Sequence, residues 1–346
     1  MSEQLTNSLE NLNIDAFLQS GAIIQNPEND QIILGVEQCD HNDYFIYQAS
    51  FYNNETFIKY YKEYYLTDKA SLLNKLEASG LKRSLIRCHK SFDNEFIYDV
   101  EKILNLLANN KNLQKMVACT YANYEYVEKN CNLLNFLKAP NEGFLYGYWE
   151  DEQGIIGLTP EPLFYKYQEH YKTFALAGSF PADLGQELIN SEKNLEEHNL
   201  VILDIKEKLS ELEAQIDVGD TSLFYYKNLV HLKTPIDFKL PGKRHHIVEK
   251  LSPTSALGGY PKMLSLSKLK ELKYYDYQKS SRIFGGVVGF GSGDEKLFGL
   301  VGIRNIFFNK ESMEIHSGAG IVKDSIVKQE LAEIKLKRSS IESLFL

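Results

Sequence analysis

Short strand-like runs separated by turn residues recur along most of this chain and restrict the folds open to it. In the first third, Gln31–Val36 and Asp43–Tyr47 are such runs, and Asn26–Asp30 is a turn cluster beside them. Further runs lie between Gly143 and Ala177 and between Phe284 and Ile315. Strands at this density predict a protein built around extensive β-sheet.

Apolar residues at helical spacing interrupt this pattern in three segments. They run from Asp99 to Leu107, from Leu188 to Leu212 as one long amphipathic helix, and from about Ser325 to Leu344. No linker rich in proline, glycine or serine divides the chain. We therefore predict an α+β fold in a single two-lobed domain over 1–346, with a sheet-rich part over 1–110 and a motif-bearing part over 111–346.

Charge and cysteine usage narrow the class of partner. The formal net charge is −9, and the most basic run, Lys243–His246, is too short to follow a phosphate backbone, which argues against nucleic acid. The four cysteines are widely spaced, the first residues do not resemble a signal peptide, and no apolar run reaches membrane-spanning length. We expect a cytoplasmic protein that binds a small molecule and no membrane.

Three charged residues near the C-terminus could form part of a site. Glu330, Glu333 and Lys337 are spaced so that their side chains share one helical face, although a solvated surface pair has the same spacing. The preceding Gly318–Gly320 segment is interpreted as joining a strand to this helix. Its glycines would let backbone N–H groups approach an anion, or would serve a sharp turn sterically.

A second acidic cluster lies in the middle predicted helix, within Ser191–His198. Mg²⁺ prefers oxygen ligands from one or two carboxylates together with water and substrate. A glutamate from this helix and one from the C-terminal helix would form such a site, although the pattern alone favours a solvated acidic face. Metal-binding clusters of histidine and cysteine are not found, which argues against zinc.

These segments belong to a longer series of motifs in a familiar order. The sequence resembles the chorismate-utilising enzymes, which include isochorismate, salicylate, anthranilate and aminodeoxychorismate synthases. The motifs are Lys115–Ala118, Gly157–Glu161, Leu176–Ser179, Ser191–His198, His231–Pro235, Ser252–Gly259, Phe284–Gly289, Ile303–Arg304 and Gly318–Val322 with the helix after it.

The resemblance implies antiparallel sheets flanked by helices, and a Mg²⁺ ion that holds the ring carboxylate of chorismate. Its metal ligands would be Glu197 and Glu333, with Glu330 close by. The implied substrate-binding positions are Gly178, His231, Thr234, Arg304, Gly318, Ala319, Gly320 and Lys337.

The resemblance also implies the chemistry. Family members that add water to the ring use a lysine where Lys115 stands, and Glu161 is the matching acid. The base requires a lowered pKa and the acid a raised one. Ala177 stands where some aminodeoxychorismate synthases carry a nucleophilic lysine. We therefore predict an isomerase, isochorismate synthase, of menaquinone or siderophore biosynthesis, without a glutaminase partner.

Other members of the family remain open alternatives. They are salicylate synthase, the first component of anthranilate or aminodeoxychorismate synthase, and a catalytically inactive chorismate-binding protein. Three motifs depart from the family pattern. Ser252–Ser255 replaces His-Pro-Thr-Pro, Thr120 replaces an arginine, and Asn194 and Leu195 replace Asp-Arg. The effect of Lys233, in the His-Leu-Lys-Thr segment, is not predicted.

Overall fold

The computed structural model describes residues 7–52, 55–140, 143–227, 229–241, 246–278, 283–293 and 295–346. Most of the basic run at 243–246 lies outside these ranges. The strands are β1 Ser20–Gln25, β2 Ile32–Cys39, β3 Tyr44–Ala49, β4 Thr56–Thr67, β5 Leu85–Ser91, β6 Lys115–Glu128, β7 Phe144–Glu150, β8 Gln153–Thr159, β9 Pro162–Tyr167, β10 His170–Pro181, β11 Gln215–Val218, β12 Ser222–Tyr226, β13 Leu229–Lys239, β14 Gly259–Tyr260, β15 Val287–Ser292, β16 Glu295–Val301, β17 Asn305–Phe308 and β18 Ser312–Ile321. The helices are α1 Ile14–Gln19, α2 Lys69–Ala78, α3 Asp93–Asn109, α4 Asn132–Leu137, α5 Gly185–Ile189, α6 Glu192–Glu211, α7 Ile247–Leu251, α8 Lys262–Leu269, α9 Lys273–Gln278 and α10 Val327–Glu342.

The strands pair antiparallel in two large groups that share β4. The first group runs β4-β2-β1-β7-β8-β17-β18-β6, with β5 and β14 also paired to β6. The second runs β4-β3-β15-β16-β9-β10-β13, with β11 and β12 also paired to β13. The predicted α+β class is therefore confirmed as one large domain with an open antiparallel sheet.

Apolar side chains fill the space between the two groups and under the helices. Ile24 and Ile33 of the first group pack with Ile46, Val288 and Phe290 of the second. A larger cluster joins strand residues of both groups to the buried faces of α3, α6 and α10. The helices α3 and α6 are amphipathic, so burying one face supplies most of their stability. In the described part of the chain, none of the helices has the length and hydropathy needed to cross a bilayer.

The predicted continuous helix from Leu188 to Leu212 was wrong. The structure divides it into α5, which ends at Ile189, and α6, which begins at Glu192. Ser191 is the N-cap of α6, and its hydroxyl accepts a hydrogen bond from the Asn194 backbone N–H at 3.4 Å. Because of this break, the direction of α6 does not depend on that of α5.

The interpretation of Gly318–Gly320 as a connector was also wrong. All three residues lie inside β18, where they pair in register with Val117–Cys119 of β6. The connection to α10 begins after Ile321. The glycines therefore allow β18 to lie close to side chains of the site, and they do not form a turn.

Candidate active site

A small buried cavity lies where β10, β13, β18, α6 and α10 meet. Its volume is about 60 Å³. It is lined by Pro160, Glu161, Leu176, Ala177, Gly178, Ser179, Glu197, His231, Ala256, Leu257, Phe284, Ile303, Arg304, Gly318, Gly320, Glu333 and Lys337. The cavity thus collects charged side chains from distant parts of the sequence.

The first residue of β6 forms an ion pair at this cavity. Lys115 Nζ lies 2.9 Å from Oε1 of Glu197, and neither residue has more than 6% of its surface exposed. Burial opposes ionisation of Glu197, but the charges of Lys115 and Lys193 outweigh it and lower the pKa of the carboxyl. A Cβ atom at Gly320 would lie 2.1 Å from Oε1 of Glu197 and 2.6 Å from Cε of Lys115. The ion pair therefore needs glycine at this position of β18.

Glu161 enters the cavity from the connection between β8 and β9. The residue is 4% exposed, and burial raises the pKa of its carboxyl to about 7. Lys115 is the strongest of the opposing influences, and a long hydrogen bond of 3.5 Å from the Thr254 hydroxyl acts in the same direction. Glu161 thus retains its proton to near neutral pH, as an acid catalyst must.

Two cations face the same space from other elements. Lys337 of α10 donates a hydrogen bond to the Gly318 carbonyl oxygen at 2.8 Å and forms an ion pair with Glu333 at 2.6 Å. Arg304 is 7% exposed, and burial lowers the pKa of its guanidinium. Its Nε has no hydrogen-bond partner among the described residues. These groups could bind an anionic ligand.

His231 presents a neutral imidazole to the cavity. Burial, followed by the charge of Arg304, lowers the pKa of the ring to about 3. Nδ1 lies 2.9 Å from the Gly178 carbonyl oxygen and 2.9 Å from the Ser179 hydroxyl. The carbonyl can only accept, so Nδ1 carries the proton and Nε2 is left as a hydrogen-bond acceptor. No described residue bonds to Nε2.

Four residues predicted for the site are not among those that line the cavity, and the first of them, Lys115, reaches it only through its ion pair with Glu197. The other three lie elsewhere. Thr234 instead bonds to His198 Nε2 at 2.7 Å and to the Thr221 hydroxyl, behind the site. Ala319 points away because neighbouring strand residues face opposite sides of the sheet. Glu330 is 1% exposed and bonds to Lys193 at 2.8 Å. Burial, followed by the charge of nearby Glu333, raises the pKa of Glu330.

Several lining residues received no role from the sequence. Ser179 lies within a quoted motif, but its contact with His231 joins β10 to β13 and has no local signal. Phe284 and Leu257 are apolar residues with no pattern distinguishing them from the core. Lys193 lies near the cavity and forms ion pairs with Glu197 and Glu330. Its position inside the acidic motif of α6 is a sequence signal that could have indicated this role.

The carboxylates offer donors for a hard cation. Within the described ranges, no group of three or more histidine, cysteine, aspartate or glutamate side chains is arranged to hold a metal. Glu197 and Glu333 nevertheless line one cavity, and Mg²⁺ commonly takes one or two carboxylates and completes its shell with water and substrate. The residues present therefore fit a two-carboxylate site, with each carboxylate held by a lysine in this structure.

The family follows from comparison with known proteins. The model of a family described as chorismate binding enzyme matches residues 31–345. The chain belongs to this family. Among curated relatives, anthranilate synthase component 1 of Saccharolobus solfataricus is 30% identical over 207 residues, covering 56% of this chain and 48% of the relative. Isochorismate synthase EntC of Escherichia coli K12 is 30% identical over 202 residues, covering 55% and 51%. The chain therefore spans about half the length of these relatives.

Solved structures show the same fold for this chorismate-binding enzyme. MenF, the menaquinone-specific isochorismate synthase from Escherichia coli, superimposes with a TM-score of 0.79 at 17% identity, covering 94% of this chain and 89% of MenF. Anthranilate synthase component I from Streptococcus pneumoniae gives a TM-score of 0.68 at 16% identity, covering 99% and 95%. Family members named for different products thus share the fold.

Proposed function

We propose that this chorismate-binding enzyme is an isochorismate synthase, an isomerase that adds water at C2 of chorismate while the C4 hydroxyl leaves. The observation that carries the proposal is the placement of Glu161 and Lys115 around one buried cavity. Glu161 lines it, and burial raises the pKa of its carboxyl to about 7, whereas Lys115 is paired with Glu197 of the lining and lies near enough for its charge to act on Glu161. A basic amine and a neutral carboxyl are the two groups that this exchange requires.

In the proposed reaction the two groups move one proton each. Lys115, released from Glu197 and having given up its proton to solvent, accepts a proton from the water that attacks C2. Glu161 donates its proton to the C4 hydroxyl, which departs as water, and the ring double bonds shift between the two carbons. Water is gained and lost once, so the product is an isomer of the substrate. The raised pKa of Glu161 supports its role as donor.

When substrate binds, carboxylates of the ligand and a metal ion are proposed to replace the lysine–glutamate ion pairs of the cavity. Lys337 and Arg304 would bind carboxylates of chorismate, and His231 Nε2 would accept a hydrogen bond from a hydroxyl group. Mg²⁺ held by Glu197 and Glu333 would supply positive charge for the ring carboxylate. Lys115 and Lys337 are paired with glutamates in this structure, so the proposal expects both to exchange these partners as the ligand enters.

The proposal that water, and not ammonia, is the nucleophile rests on Lys115 and Ala177. Ala177 lines the cavity and has no group that could attack the ring. The two relatives quoted above are equally identical to this chain although one is named for anthranilate and the other for isochorismate. Their identities therefore do not decide the nucleophile, and ammonia-dependent anthranilate formation is the second candidate.

Product analysis tests the proposal directly. Purified protein is incubated with chorismate, with Mg²⁺ or with a chelator, and with or without an ammonium salt, and the products are separated by chromatography. Isochorismate formed only with Mg²⁺ supports the proposal. Salicylate with pyruvate would identify a salicylate synthase, and anthranilate formed only with ammonium would support the second candidate. Aminodeoxychorismate formed only with ammonium would identify an aminodeoxychorismate synthase. Unchanged chorismate in every mixture would indicate a protein that binds without turnover.

A further inference from the structure

The segment between α7 and α8 forms one wall of the cavity. Ala256 and Leu257 line it, and the Thr254 hydroxyl lies 3.5 Å from Oε1 of Glu161. At its far end, β14 pairs with the start of β6, where Tyr260 lies opposite Lys115. One continuous segment therefore connects the proposed acid with the strand that carries the proposed base.

A buried ion pair on α6 anchors this wall. Lys208 donates hydrogen bonds to Asp204 Oδ2 at 2.5 Å, to the Pro253 carbonyl oxygen at 2.9 Å and to the Leu251 carbonyl oxygen at 3.4 Å. Asp204 Oδ2 also accepts the Ser255 backbone N–H at 3.1 Å. The three protons of the ammonium thus all have acceptors. The pair bonds to two residues of the wall and to the last residue of α7.

The position of this pair on α6 links it to the active site. Asp204 and Lys208 follow Glu197 by two and three helical turns, so the three side chains lie on the same buried face. Asp204 is 2% exposed and Lys208 is 6% exposed. A buried ion pair contributes little net stability, because desolvation offsets the attraction, so its geometric role is the informative one. The helix that positions Glu197 also fixes the wall opposite Glu161.

Ser255 makes its contribution through the backbone. Its hydroxyl is buried and has no hydrogen-bond partner among the described residues, whereas its N–H bonds to Asp204. Proline at this position would have no N–H to donate. Serine therefore supplies one bond between the wall and α6 that proline could not make.

We propose that Asp204, Lys208 and the Ser255 N–H form a positioning unit that fixes the wall segment, so that Thr254 holds the Glu161 carboxyl in its reactive orientation. The inference rests on the proposed function, because it assigns to this unit an effect on the acid of that reaction. Asp204 and Lys208 are positioning residues, since neither lines the cavity.

Two substitutions at one position separate the backbone bond from the side chain. Ser255→Ala keeps the N–H, and we expect wild-type kcat. Ser255→Pro removes it, and we expect kcat to fall about tenfold or more, as for a misplaced catalytic group, while KM changes less than about threefold. Thr254→Val should have a similar effect, and Thr254→Ser should restore activity. Equal kcat in the alanine and proline variants would overturn the proposal.

A second measurement covers variants that fail to fold. If Ser255→Pro is unfolded by circular dichroism, Asp204→Asn is compared with Lys206→Met, whose side chain is exposed on the same helix. A fall in kcat confined to the asparagine variant supports the unit, and unchanged kcat overturns it. If the wild-type protein does not turn over chorismate, the proposed function fails. Hydrogen exchange then tests the bond from the Ser255 N–H to Asp204. Slow exchange of the Ser255 amide in the wild type, with fast exchange in Asp204→Asn, supports the positioning unit. Fast exchange of this amide in the wild type overturns it.

Discussion

Replacing Glu161 with glutamine should make the protein more stable at alkaline pH while removing its activity. Burial raises the pKa of this carboxyl from its ordinary value of 4.5 to about 7. Each tenfold change in proton affinity corresponds to about 1.4 kcal/mol, so the ionised form costs the folded state about 3 kcal/mol. Glutamine has nearly the same shape and is never ionised, so the variant does not incur this cost.

The sign of the pH dependence follows from which state binds the proton. Well below pH 4.5 the Glu161 carboxyl is protonated in both the folded and the unfolded chain and adds no pH dependence. Between pH 4.5 and about 7 the folded chain retains a proton that the unfolded chain has released, so wild-type stability falls as the pH rises. Above about pH 7 the full cost is present. From pH 5 to pH 8, the stability advantage of Glu161→Gln should therefore grow by about 2.5 kcal/mol.

Urea unfolding followed by the fluorescence of Trp149 measures this difference at both pH values. Glu187→Gln, a substitution of the same chemistry at an exposed position of α5, is the matched control and should show the same stability relative to the wild type at both. An advantage of Glu161→Gln that is equal at pH 5 and pH 8 would refute the reasoning. In the product assay the variant should lose about a hundredfold or more in kcat, because glutamine cannot donate the required proton.

Three further substitutions test other parts of the site. Lys115→Ala should abolish turnover and leave chorismate binding largely intact, as measured by chromatography and calorimetry, and full activity would contradict its role as base. Glu333→Ala should weaken Mg²⁺ binding and Mg²⁺-dependent chorismate binding in calorimetric titrations; unchanged affinity for the metal would remove Glu333 from the ligand set. Gly320→Ala would bring a methyl group to 2.1 Å from Glu197, so we expect loss of turnover and about 1–3 kcal/mol of destabilisation in urea unfolding. An active, equally stable alanine variant would show that the Glu197 side chain can move aside.

The sequence predicts the elements of this fold better than their contacts. Strand-like runs and helical spacing correctly indicated an α+β chain, because both patterns are local. The break at Ser191 was missed because apolar residues at helical spacing lie on both sides of it. The polar residues Asn190 and Ser191 are typical of a helix start, and the capping bond at the start of α6 shows that they serve as one. Gly318–Gly320 was misplaced because glycine serves turns and close approaches alike, and the reason for Gly320 is a side chain of another element.

At the C-terminal helix, spacing alone gave only part of the site. Glu330, Glu333 and Lys337 were predicted to share one face, and Glu333 and Lys337 do line the cavity. Glu330 lies about one helical turn before Glu333, and its carboxylate accepts a hydrogen bond from Lys193 of α6. This contact depends on how the two helices cross. Relations of this kind are set by tertiary packing, which helical periodicity does not contain.

The pairing of β6 with β18 also bears on how the protein is made. The two strands lie about 200 residues apart along the chain, and β18 stands beside Lys115 through Gly320. During synthesis β6 leaves the ribosome long before β18. The backbone groups and apolar side chains of β6 that contact β18 therefore stay exposed until β18 has been made. Chaperones that bind exposed strands would be expected to hold the nascent chain at this stage. The proposed active site also takes Glu333 and Lys337 from α10, so it is assembled only after the last helix has been synthesised.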